Sequence, residues 1–167
     1  MSPRFGLVKA SLAVAFLYAT IGVVSCGPAV ATDPGPVPIP QTPSTLTIDV
    51  GTGTEAFVEQ RDGDPVSLAH GVQGGFHIWT AVRVRDATVA DVQMNLSAHF
   101  EDGSPAGPTS RVAVKLEADG AARSVAGQRV FVSDGASVAG KRVVLRAEVV
   151  ASDQRHGAGE QVVTVNP

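Results

Sequence analysis

The stretch Asp91-Val92-Gln93-Met94-Asn95-Leu96-Ser97-Ala98-His99-Phe100 alternates polar and apolar residues over ten positions. Successive side chains of a strand point to opposite faces, so this run predicts a strand with one face on a core and one in solvent. The same period two recurs on either side of it. Leu46, Ile48 and Val50 alternate with Thr45, Thr47 and Asp49. Val112, Val114 and Leu116 alternate with Arg111, Ala113 and Lys115, and Val143, Leu145, Ala147 and Val149 with Arg142, Val144, Arg146 and Glu148. Phe76–Arg85 reads as a further long strand, and weaker runs fall at 55–60, 65–69, 129–133 and 160–166. Turn residues separate the runs: Gly51-Thr52-Gly53, Asp62-Gly63-Asp64, Gly74-Gly75, Asp102-Gly103, Asp119-Gly120 and Asp134-Gly135.

No segment holds a helical period for ten residues. Seven to nine short strands at this spacing predict an all-β domain over 44–167, an antiparallel immunoglobulin-like β-sandwich, with a small β-barrel as the alternative. The immunoglobulin marks are partial. Trp79 is available as a core tryptophan, but there is no cysteine pair and no tyrosine after residue 25. A hairpin between Phe76–Arg85 and 91–100 has one self-consistent register. It sets Phe76 opposite Phe100, Ile78 opposite Ala98 and Val84 opposite Val92 on an apolar face. Its polar face pairs Arg85 with Asp91, Trp79 with Ser97 and His77 with His99. That register puts Trp79 outside, against the core reading, and pattern alone leaves both standing.

Outside the domain the composition changes twice. Arg4 and Lys9 precede an uncharged apolar stretch over 10–24, the layout of a secretory signal peptide over 1–25. Residues 27–43 then hold Pro28, Pro34, Pro36, Pro38, Pro40 and Pro43. Alternate prolines forbid helix and ladder pairing, so 26–43 predicts an extended spacer of about 3 Å per residue. Loss of 1–25 removes two cations and no acid, taking the net charge from −3 to −5. A mildly acidic chain has no electrostatic reason to seek nucleic acid. The single cysteine, Cys26, rules out an intrachain disulfide and a cysteine zinc cluster.

Val23-Val24-Ser25-Cys26 resembles the lipobox of bacterial lipoproteins, with Val24 where Ala or Ser is more usual. The resemblance implies cleavage between Ser25 and Cys26, a diacylglycerol group on the Cys26 sulfur and an acyl chain on its amine. Two or three chains make a stable anchor where one is marginal. It implies a place in the bacterial cell envelope, and Gly27 after the cysteine favours the outer membrane. Gly71-Val72-Gln73-Gly74-Gly75-Phe76-His77 resembles a Gly-Pro-Gln-Gly-Gly-x-His segment of myxobacterial-type envelope lipoproteins, with Val72 in place of the proline. That segment brings no activity with it, and Gly74 and Gly75 read as a bend before a strand.

Catalytic patterns are missing: no Gly-x-Ser-x-Gly elbow, no His-Glu-x-x-His pair, no phosphate-binding glycine loop. Asp62-Gly63-Asp64 lacks the further acids of a calcium loop. The leading expectation is a non-enzymatic envelope lipoprotein, a binding or structural module. It needs no cofactor beyond its lipid and meets an envelope protein or surface ligand. Two alternatives stand beside it. His77 and His99, opposed on one face with His70 nearby, would hold Cu²⁺ or Zn²⁺; or the chain is a hydrolase of unfamiliar pattern.

Overall fold

The computed structural model describes residues 45–72 and 74–166. The signal segment, Ser25, Cys26 and the proline-rich spacer lie outside them. The described chain is all-β. Its strands are β1 (Ile48–Thr52), β2 (Asp64–His70), β3 (Phe76–Val84), β4 (Asp91–Phe100), β5 (Ser110–Lys115), β6 (Glu117–Asp119), β7 (Ala122–Val132), β8 (Arg142–Ala151) and β9 (His156–Asn166). One short helix, α1 (Gly135–Val138), joins β7 to β8, capped by the Asp134 side chain on the Ala136 N–H.

The strands form two layers. In the β4 sheet the order is β5-β4-β8-β9, with the first half of β2 parallel to β9. In the β3 sheet, β7 lies on one side of β3 and β6 beyond it, while β1 and the second half of β2 line the other side. The pairing is mixed, because β2 and β9 run parallel, where the alternation alone predicts an all-antiparallel sandwich. Because β2 pairs in both layers, the sheets run continuously from β5 to β6, nearly as a barrel.

The layers meet along a seam made by residues 45–70. The Leu46 N–H donates to His156 O of the β4 sheet, Ile48–Thr52 pair with β3, Asp64–Ser67 pair with β9, and Leu68–His70 return to β3. Packed sheets ordinarily stand about 10 Å apart across a layer of side chains. At this seam the backbones touch. A Cβ on Gly157 would lie 2.2 Å from Leu46 O, and one on Gly159 would lie 2.4 Å from Ile48 O. Only glycine fits there.

Between the sheets lie Ile78, Val82 and Val84 of β3, Met94 and Leu96 of β4, Val130 of β7, Val143, Leu145 and Val149 of β8, and Val163 of β9, all essentially inaccessible to solvent. Among the described residues the buried core contains no aromatic side chain; Phe76 and Phe100 pack at its rim.

The expected hairpin between β3 and β4 does not form. β3 pairs with β7, His77 opposite Phe131 and Trp79 opposite Arg129, and β4 pairs with β5 and β8. The connection after Val84 crosses from one layer to the other. Residues 55–60 are also not a strand. Val58 makes one reciprocal bridge to Thr52, and the loop folds back over the β3 sheet.

Candidate functional site

Each sheet has an outer face, and the two differ in chemistry. On the β4 sheet the outward positions of β4 are Asp91, Gln93, Asn95, Ser97 and His99, as their alternation requires. Arg146 stands directly across from Ser97 and, on its other side, from Glu160. Its guanidinium reaches Glu160 at 2.6 Å and Glu148 at 3.0 Å. These bonds raise the affinity of Arg146 for its proton, and the Arg146 bond, with help from Asn95, holds the Glu148 carboxyl below its usual range. Over this face lie two adjoining shallow hollows of about 620 and 540 Å³. The second is floored by Ser97 and rimmed by Asn95, His99, Arg146, Glu148 and Glu160.

Ser97 Oγ and His99 Nε2 are 3.0 Å apart in that hollow. A hydroxyl beside an imidazole is the start of a nucleophilic site, which also needs a third group to orient the ring. Among the described residues no hydrogen bond to His99 Nδ1 is formed, so the pair has two members only.

On the β3 sheet the loop over 53–60 folds over part of the outer face. It seats the Phe57 ring over Gly51 and accepts a 2.9 Å bond at Gly53 O from the Gly127 N–H. Arg83 lies over the Phe57 ring at 4.1 Å and pairs with Asp119 at 2.8 Å, and Arg85 pairs with Asp49 at 2.6 Å. Beyond that loop the face carries a block of four side chains: His77 opposite Phe131, Trp79 opposite Arg129. The His77 ring stands edge-on to Trp79 at 4.8 Å and tilted to Phe131 at 6.2 Å. Arg129 lies 5.9 Å from the Phe131 ring, and Phe131 is 38% exposed.

His77 is only 6% exposed, and among the described residues its Nε2 has no hydrogen-bond partner. Burial, and then the charge of Arg129, lower its proton affinity. The unfolded chain takes up this proton near pH 6.5, about the ordinary histidine value, whereas the folded chain resists it. The contribution to stability is therefore complete above about pH 6.5 and is lost as pH falls toward the folded value. A proton NMR titration should show the His77 ring titrating below the ordinary histidine value. A His77 midpoint at or above that value would refute the burial argument.

The residues singled out from sequence are thus separated. His77 and His99 stand in different sheets, so the shared-metal arrangement, which required both on one strand pair, is not built; His70 instead packs edge-on against Phe76 at 5.0 Å. Trp79 is half-buried on the outer face, which answers the open question of its position. Gly74 and Gly75 both have positive φ, 86° and 83°, and form the bend before β3. Cys26 and Ser25 lie outside the described residues. The Arg146 hub and the partners Arg129 and Phe131 carried no signal in sequence, since each depends on strand pairing across long separations.

No protein-family model matches the chain, and a search of curated proteins finds no match. Fold and faces define an all-β domain, nearly a barrel, with one polar hollow face and one face that carries a partly exposed aromatic block.

Proposed function

We propose that the chain is an envelope lipoprotein, held at a membrane by lipid on Cys26, whose sandwich serves binding rather than catalysis. The observation that carries this is the position of the only cysteine: it ends the apolar leader and begins a proline-rich spacer. A spacer of that kind has a purpose when its start is fixed to a surface. The binding half of the reading is supported by outer faces rich in grouped polar and aromatic side chains.

Cys26→Ser tests the anchor. Cells fed a labelled fatty acid should mark the wild-type chain and leave the variant unmarked, and the mature wild-type N-terminus should be an acylated Cys26. A wild-type chain that starts elsewhere, or that carries no label, would sink the proposal. Partitioning into membranes alone does not decide the matter, because an uncut apolar leader would also hold the variant there.

A further inference from the structure

We propose that the part of the β3 sheet's outer face around Trp79, Arg129 and Phe131 binds an anionic polysaccharide. Trp79 and Phe131 would lie against the apolar faces of sugar rings, and Arg129 would pair with a carboxylate on the polymer. The inference deepens the reading of the domain as a binding module by naming a ligand class and a place for it.

Four observations carry it. Aromatic rings are the largest apolar groups available to a core, yet among the described residues the buried core has none. Trp79, Phe131 and His77 are instead gathered on one outer face. The loop over 53–60 folds over the adjoining part of the same face, at Gly51 and Gly127; beyond it Phe131 is exposed and Trp79 partly so, while His77 beside them is buried. Arg129 is exposed and, like Arg61, Arg111 and Arg123, makes no ion pair among the described residues, and of these four it is the one that lies against an aromatic ring. A guanidinium left unpaired beside two aromatic rings is complementary to an anion carried on a ring-shaped, partly apolar unit.

The shape selects a polymer. The block lines neither of the two large hollows, and small ligands are held in concave sites that bury most of their surface. A flat platform gains contact area from an extended chain whose units repeat. An acidic protein partner would satisfy Arg129 but would not require stacked rings.

Trp79 is the only tryptophan in the chain, so its emission reports this face directly. The full-length chain in detergent is titrated with polygalacturonate, which has one carboxylate per sugar ring. Amylose serves as the uncharged comparison and polyaspartate as the anion without rings. The expected result is a saturable change in Trp79 emission with polygalacturonate, weakened by salt because the pair is exposed. Phe131→Ala and Arg129→Gln alter exposed side chains and should leave the fold intact while weakening the response by roughly tenfold each.

No response to polygalacturonate overturns the inference. So does an equal response to polyaspartate, which would make the effect one of charge alone, or wild-type binding by Phe131→Ala. Equal binding of amylose, or wild-type binding by Arg129→Gln, overturns the assignment of an anionic ligand. The outcome separates from that of the anchor. A lipidated chain that ignores the polymer keeps the anchor and loses this inference, and an unlipidated chain that binds it does the reverse.

Discussion

Gly159→Val is expected to lower the urea midpoint of unfolding by about 1–2 M, from a loss of about 3 kcal/mol or more. Valine is a better strand residue than glycine, so strand preference alone predicts the opposite sign. The seam decides the matter. A Cβ at Gly159 would stand 2.4 Å from Ile48 O and 3.0 Å from Ile48 Cγ2. The nearest of these is a main-chain atom, fixed by the pairing of Ile48 with Val84, and it cannot rotate aside as a side chain could. Relief requires β1 to move off β9. Gly157→Val meets the same strand at Leu46 O. Once β1 has shifted both clashes are relieved, so the double variant should lose less than the sum of the two. Ala158 lies between them and is exposed, and Ala158→Val should stay within about 0.5 kcal/mol of wild type. A wild-type midpoint for Gly159→Val would mean that the seam does not exist in solution.

Leu145→Ala should cost about 3 kcal/mol, with an unchanged dependence on denaturant. Leu145 is fully buried at the centre of β8, and its neighbour on β4 is Ala98. An alanine beside the new space is too short to fill it. The surrounding core is mostly valine, whose branched side chains have one stiff torsion and little freedom to reach inward. The cavity should therefore persist. Domains of this kind have about 5–15 kcal/mol in total, so one truncation removes a large fraction of it. A measured loss below about 1 kcal/mol would show that the core collapses around the gap, contrary to this packing.

The strands legible in sequence were those with one wet and one dry face. β4 and β8 show the alternation plainly, and the structure places their apolar residues in the core and their polar ones outside. What alternation cannot reveal is which strand lies alongside. The runs at 76–85 and 91–100 match each other residue for residue, and neighbours in sequence often pair. Yet in a sandwich every inward face is apolar, so β3 matches β7 equally well. That error carried His77 and His99 onto one face.

β7 was legible only over its end, because Ala122–Gln128 are all partly buried and the register shifts opposite Ala81. Pattern alone left Trp79 open between core and outer face; the structure puts it on the outer face, half-buried, opposite Arg129. Its neighbours Arg129 and Phe131 lie some fifty residues away in the chain, and no local pattern announces them.

The seam has a mechanical side. The chain enters the described domain at Thr45, meets the β4 sheet at the Leu46–His156 bond, and at once runs along β3 for the five residues of β1. A pull at Thr45 directed along that strand would act on the β1–β3 bonds in shear, all together. The same pull directed across the strand would open them one at a time. Gly157 and Gly159 let β1 nest against β9, so the entering strand is gripped by both layers. How firmly this domain holds under tension is therefore set by the direction from which the chain before Thr45 arrives.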